Sequence, residues 1–416
     1  MEKRNCNEFN KMISSQYFCR YLIVLLICVI LTLAYAQEEQ NLELKLLNVV
    51  FRHGDRTPDD NKLERYPNDP YLNYDFYPMG RGELTNNGIV REFKLGEFLR
   101  KRYDNYLGKI YIPSIVKARS SNYNRTKASL QLVLAGLFPP RGIQIWNPQL
   151  EWQPIPLEYV SKVNDNLFLS DECPRYLEEY DRVLELSEYK KEFAEFEDLA
   201  IELTKSTGKN ITTTLNMANL YHSLMAVYSM NLPLPAWTKS VFPYGRLYNA
   251  TLFAYKTSNY NKLLRKIYGG AILKKFVENM MEYVNGTLKT ERKLFLYSGH
   301  ETNIASLLYT LNAYTPHVPA YSSSIIMELL YKEGIYYVKI LHYLGIPPEL
   351  EVVQLPGCEI ICPLNKFLQL IINDIPSDED MVCDKTTTAD YADQKYNSNK
   401  STNLYNIIEN YINNKI

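Results

Sequence analysis

Apolar and polar positions along this chain follow two rhythms. Residues 44–51, LKLLNVVF, are nearly all apolar and rich in branched side chains, the pattern of a strand covered on both faces of a sheet. After a Pro-, Asp- and Tyr-rich stretch over 57–83 the spacing changes to threes and fours. Ile89, Phe93, Gly96, Leu99 and Tyr103 then mark one face of a helix that Thr85 can cap. The alternation recurs with a strand over 115–118 and a helix over 126–137 stopped by Pro139 and Pro140. It recurs once more with a strand over 293–297, KLFLY, which leads through Ser298 and Gly299 into a helix over 303–311. Strand alternating with helix predicts an α/β fold with a mainly parallel central sheet and helices on both faces. Residues 160–235 depart from this. Tyr189, Phe193, Phe196, Leu199 and Leu203 trace one long amphipathic helix and residues 210–230 a second, with no strand pattern between them. This predicts a smaller all-helical insertion over one end of the sheet, within a single folding unit whose α/β core spans 37–159 and 236–416.

Composition changes the picture at the chain's start. With 416 residues, 46% apolar and 22% charged, the chain is long enough for one large or two medium domains. Residues 1–36 read as a secretory leader: a mildly basic start (Lys3, Arg4, Lys11, Arg20), the apolar run LIVLLICVILTL, and the small-x-small site Ala34-Tyr35-Ala36. That run is short for a bilayer span of ~20 residues, and no second one follows, so no membrane attachment is expected after cleavage. Removing the leader takes four of 46 basic and two of 47 acidic residues, which leaves a charge of −3 and excludes a nucleic-acid binder.

Cys6, Cys19 and Cys28 fall in the leader, leaving Cys173, Cys358, Cys362 and Cys383, which allow two disulfides in three pairings. A local Cys358–Cys362 loop after Pro356 and Gly357 would leave Cys173 for Cys383. A zinc site is disfavoured because no histidine stands near these cysteines at metal spacing. Sequons at Asn210, Asn249, Asn285 and Asn399 fit a secreted, extracellular or lysosomal protein, and a fifth at Asn124 falls inside a motif where access is expected to be poor.

The chemistry gathers where the three strands end, the edge at which open α/β sheets bind ligands. Arg52-His53-Gly54-Asp55-Arg56-Thr57-Pro58 follows the first strand, Arg119-Ser120-Ser121-Asn122-Tyr123-Asn124-Arg125-Thr126 the second, and Ser298-Gly299-His300-Glu301 the third. Arginine forks bind phosphate and stay charged at any working pH, so Arg52, Arg56 and Arg119 are expected to form a phosphoryl pocket. A neutral imidazole is a competent nucleophile, and His53 is placed for that role. His300 would donate to a phosphoryl oxygen, and Glu301 would protonate the leaving oxygen and later assist water. With arginines neutralising the charge, no metal or other cofactor is expected. Gly54 is read as letting the backbone approach the ligand. Arg125 stays open between a structural pairing and the site. Asp55 is assigned to orienting the loop and Thr57 to supporting it; His222, on a helix with Met217, Leu220 and Leu224, is read as a packed histidine, and His317 and His342 have no partner motif.

These motifs resemble the histidine acid phosphatases, the RHGxRxP branch of the histidine phosphatase superfamily, which includes secreted insect venom-type and prostatic or lysosomal enzymes. The resemblance extends to Gly80 through Gly88, Arg100-Lys101-Arg102-Tyr103, Cys173-Pro174-Arg175 and Leu355-Pro356-Gly357-Cys358. It implies hydrolysis of small phosphate monoesters through a phosphohistidine on His53. Arg52, Arg56, Arg119 and His300 would hold the phosphate and Glu301 would donate the proton. It further implies the pairings Cys358–Cys362 and Cys173–Cys383, and homodimers. Two departures stand out. The family usually has His-Asp where this chain has His300-Glu301, and the extra methylene moves the donor by ~1.5 Å, where misplacements of ~1 Å cost ~10²-fold in rate. A family cysteine is replaced by serine within Ser322-Ser323-Ser324. The alternatives are a weakened relative that only binds phosphate esters and an inositol-polyphosphate phosphatase, although a −3 chain offers the latter no basic surface.

Overall fold

The computed structural model describes residues 42–383 and 404–413; the leader and the sequon at Asn399 lie outside them. Among the described residues the strands are β1 (Glu43–Arg52), β2 (Val116–Ser120), β3 (Leu294–Gly299), β4 (Ser324–Lys332), β5 (Ile335–Tyr343), β6 (Leu350–Val353) and β7 (Cys362–Pro363). The longer helices are α1 (Asn86–Leu107), α2 (Asn124–Leu137), α3 (Pro174–Leu184), α4 (Ser187–Phe193), α5 (Glu197–Thr207), α6 (Thr214–Ser229), α7 (Arg246–Ser258), α8 (Lys262–Ile267), α9 (Gly269–Val284), α10 (Glu301–Thr310), α11 (Leu364–Ile371) and α12 (Leu404–Asn413).

The sheet runs β2-β3-β1-β4-β5-β6, with β7 also paired to β5. β2, β3 and β1 are mutually parallel, as the three apolar runs predict. β4, β5 and β6 extend the sheet antiparallel, through strands not read from the sequence. β1 shows why its run is almost continuously apolar. Leu46 and Val50 pack on one face with Phe276, Met280 and Ile304, while Leu47, Val49 and Phe51 pack on the other with Leu95, Leu99, Leu130 and Val133. Helices α9, α10 and α11 therefore cover one face, and α1 and α2 the other.

Thr85 caps α1 as expected, accepting from the Gly88 N–H at 3.2 Å. Gly96, Leu99 and Tyr103 lie inward as predicted, but the first turns of α1 bury a rotated face. Ile89 and Phe93 are 39% and 37% exposed, while Gly88, Glu92, Leu95 and Leu99 face inward, because α1 is pinned to the β1 loop through Gly88. The predicted long helix is instead two, α4 and α5, joined by a 3₁₀ turn at Ala194–Phe196. The helical stretch also continues past residue 235. Leu247 and Ala250 of α7 share a cluster with Leu199, Leu203, Met217 and Leu220, so α5, α6 and α7 bury their apolar stripes against one another. Cys173–Cys383 and Cys358–Cys362 are both bonded, as the resemblance implies. The sequon asparagines Asn210, Asn249 and Asn285 are exposed, and so is Asn124, although its amide also donates to Glu83.

Candidate active site

The parallel ladder sets the site. Arg52 ends β1 opposite Gly299 of β3, the His53 N–H donates to the Gly299 carbonyl at 3.1 Å, and the Ser121 N–H donates to the Ser298 carbonyl at 3.0 Å. Three strand ends are thereby held side by side. The His53 and His300 rings meet edge to face with centroids 5.6 Å apart, and Tyr123 packs on His300 at 5.0 Å.

His53 is 1% exposed. Its Nδ1 lies 2.8 Å from the Gly54 carbonyl oxygen, which only accepts, so the ring proton sits on Nδ1. Nε2 accepts from Arg125 Nε at 3.2 Å and so carries the lone pair. Burial, then Arg125 and Arg52, hold this ring well below the usual histidine range. His300 has Nε2 3.0 Å from the Ser121 hydroxyl and is pushed down to about 3 by burial and Arg125. Both rings are therefore neutral in moderately acidic water.

Three guanidinium groups surround the pair. Arg52 donates from Nη1 to the Pro319 carbonyl at 2.6 Å, lies over the Tyr321 ring at 4.0 Å, and sets Nε 3.1 Å from Glu301 Oε2. Arg56 is gripped bidentately by Glu64, with Nη1 to Oε2 at 2.9 Å. Arg125 pairs through Nη1 with Asp59 Oδ2 at 3.0 Å. Three cations are thus matched by Asp59, Glu64 and Glu301, and buried N–H groups at Arg52 Nη2 and Arg56 Nε have no hydrogen-bond partner. Unspent buried donors on fixed cations favour an incoming anion with several oxygens. Beside Arg52 opens a cavity of about 490 Å³ lined by Asn87, Arg91, Tyr221, Tyr248 and Tyr321.

Glu301 opens α10, where the helix N-terminus favours a negative charge. Burial pushes its carboxyl up, but Arg52, followed by His222, His53 and His300, more than offsets this and holds it well below the usual range. An anion bound at the free Nη2 of Arg52 offsets the charge that is the largest of these opposing causes. The carboxyl would then rise toward a protonated state.

The structure brings together His53, Arg52, Arg56, His300 and Glu301, but not Arg119. Arg119 is on β2, and its Nη2 donates to the fully buried Asp165 at 2.8 Å. Asp165 Oδ1 also accepts from the Leu167 and Phe168 N–H groups, so this pair fixes a turn whose Phe168 carbonyl accepts from Asn303. The charges acting on His53 and His300 include Arg125 and Arg52, not Arg119. Arg119 turns to Asp165 and a pocket lined by Asn164, Asn166 and Lys274, whereas Arg125, second residue of α2, returns to the ligand edge. A sequence signal existed: a cation in a helix's first turn opposes the helix dipole and calls for another reason to be there. His222, read as packed, is buried but faces Glu301 at 3.6 Å. Glu64, Asp59 and Tyr321 carried no motif that would have singled them out.

Gly54 also departs from expectation, since its close neighbour is protein. A Cβ there would stand 2.6 Å from the Gly88 carbonyl oxygen, and one on Gly88 would stand 2.2 Å from the Asp55 carbonyl oxygen. Backbone against backbone cannot yield as a side chain can. Gly88→Ala is expected to cost at least ~2 kcal/mol and to shift the His53 loop, read as a drop in melting temperature together with lower kcat. An unchanged melting temperature would refute this contact.

The model of the histidine phosphatase superfamily (branch 2) matches residues 43–343. Venom acid phosphatase Acph-1 of Apis mellifera is 55% identical over 343 residues, covering 82% of this chain and 88% of that one. Prostatic acid phosphatase of Bos taurus is 33% identical over 346 residues, covering 82% and 88%. Among solved structures, the phytase of Klebsiella sp. ASR1 superposes with a TM-score of 0.62 at 18% identity, covering 82% of this chain and 98% of that one; at that identity the likeness is one of fold.

Proposed function

The chain belongs to the histidine phosphatase superfamily, branch 2, and from that premise we propose that it is an acid phosphatase, hydrolysing small phosphate monoesters without a metal. The observation that carries the reading is the neutral His53 with its lone pair on Nε2, flanked by Arg52, Arg125 and His300. In the first step His53 Nε2 forms a bond to phosphorus as the P–O ester bond breaks, and the leaving oxygen takes a proton from the Glu301 carboxyl. In the second, water attacks phosphorus, the N–P bond breaks, and Glu301 takes the water's proton. Arg52, Arg56, Arg125 and His300 offset charge on the transferring group.

The leader, the exposed sequons and the two disulfides support secretion to an extracellular or lysosomal compartment. Among the described residues no helix is long and apolar enough to cross a membrane. The exposed side chains of Ile143, Ile145, Trp146 and Trp152, the two tryptophan rings in contact, support a homodimer.

The test is release of inorganic phosphate from an alkyl phosphate in the presence of a chelator, followed across pH. Because His300 stays neutral to about pH 3 and His53 is also held low, the acid side should not cost the nucleophile. Turnover needs one proton on the leaving group, and the monoester loses its last one near pH 6. kcat/KM should therefore be flat from about pH 4 to 6 and fall about tenfold per unit above. Phosphate binding without turnover would favour a phosphate-ester binding protein, and activity abolished by chelator would overturn the metal-free reading.

A further inference from the structure

We propose that His222 is a positioning residue for Glu301, fixing from the helical layer the oxygen that does not donate the proton. The inference rests on the phosphatase reading above. His222 lies on α6, 6% exposed, with Nε2 3.0 Å from the Tyr255 hydroxyl and 3.6 Å from Glu301 Oε1. Its Nδ1 is buried without a hydrogen-bond partner. A buried N–H left unpaired is costlier than a bare acceptor, so the neutral ring keeps its proton on Nε2, which is within hydrogen-bond length of the Tyr255 hydroxyl and, at 3.6 Å, just beyond it from Glu301 Oε1.

The Glu301 carboxylate is thus approached at both oxygens. Oε2 meets Arg52 Nε at 3.1 Å and Oε1 meets His222. Arg52 is the partner whose charge a bound phosphoryl group offsets. His222 stays, because its place is set by α6 and by Tyr255 of α7, neither of which carries one of the proposed phosphate ligands. A glutamate has one more rotatable bond than an aspartate, and holding it costs more rotamer freedom. A second anchor on Oε1 offsets that and leaves Oε2 directed at the ester oxygen. The charged and titratable groups facing His222 are Tyr255 from α7, Glu301 from α10, Arg52 from β1, and at longer range Glu64 and Arg56 from the β1–α1 loop.

A residue that acts through the proton donor matters most where the leaving group needs the proton. The experiment compares kcat/KM for 4-nitrophenyl phosphate, whose leaving group departs readily as an anion, with kcat/KM for an alkyl phosphate, whose leaving group does not. His222→Phe keeps the ring's bulk and removes its N–H, and His222→Gln restores a donor. His222→Phe is expected to lose about tenfold or more on the alkyl ester and under about threefold on the aryl ester. His222→Gln should recover part of the loss, and the inhibition constant of inorganic phosphate should hold. In a Glu301→Gln background the His222→Phe effect should vanish. Equal losses on both esters, or an undiminished effect without the Glu301 carboxyl, would overturn the inference. Should His222→Phe fail to fold, His222→Leu, which also removes the N–H, takes its place, and an unchanged ester ratio refutes the inference. Absence of turnover in the unmodified protein would instead sink the phosphatase reading itself.

Discussion

His53→Ala loses turnover by at least about 10⁴-fold and takes up no phosphoryl label. The magnitude follows from the role: removing a covalent nucleophile eliminates the two-step route, and what remains is only the help that binding and electrostatics give to direct attack by water. Quenching the enzyme in alkali during turnover of a labelled aryl phosphate preserves phosphohistidine, which acid destroys. Label should appear on the unmodified protein and be absent from His53→Ala, while inorganic phosphate still inhibits, because Arg52, Arg56 and Arg125 remain. The cavity left by the ring is lined by fixed arginines, so stability should change less than activity. Label persisting in His53→Ala would move the nucleophile elsewhere, and the neighbour to examine would be His300, 5.6 Å away between centroids. Glu301→Gln, by contrast, should keep the label on an aryl ester and slow its loss, since that ester needs little protonation to leave but water still needs a base.

Much of this arrangement was legible because β1, β2 and β3 announce themselves. Each is a short apolar run, and the ionisable residues that follow cannot be core, so their meeting at one sheet edge follows from the parallel order alone. What escaped was whatever depends on direction rather than position. The β4–β5 hairpin turns on Glu333 and Gly334, both at positive φ, and its strands carry too mixed a pattern to stand out from helix in a single sequence. The rotated face of α1 followed from backbone contact at Gly88, where no side chain exists to leave a periodic mark. The acidic partners Glu64 and Asp59 reach their arginines from an irregular loop, and no spacing rule connects a loop carboxylate to a guanidinium. His222 lies 79 positions from Glu301 on a helix whose inward face is mostly apolar, so sequence pattern alone assigns it to the core.

Arg119 and Arg125 stand six residues apart in one motif, and the structure gives them opposite consequences when removed. Arg125 Nε touches the nitrogen that would attack, and its charge is one of two arginine charges acting most directly on the ring. Truncating it removes a buried, fixed cation from the place where phosphoryl charge develops and leaves Asp59 unpaired beside the site. Losses of one such donor typically run to 10²–10³-fold in kcat. Arg125→Ala should therefore lower kcat/KM by about that amount, raise the inhibition constant of inorganic phosphate, and let His53 titrate closer to its ordinary range, because one of the cations holding it down is gone. Arg119→Ala should act on the fold. It strands the fully buried Asp165 carboxylate, a loss of the kind that costs about 3–5 kcal/mol, and loosens the turn that bonds Asn303. Its melting temperature should fall well below that of Arg125→Ala, while kcat/KM of the folded fraction stays within a few-fold. The double change Arg119→Leu with Asp165→Asn should recover much of the lost stability, since the amide oxygen keeps the Leu167 and Phe168 bonds and no unpaired charge is left behind. Were Arg119→Ala to lose catalysis at unchanged stability, the arginine on the strand, and not the one on the helix, would be the phosphate ligand.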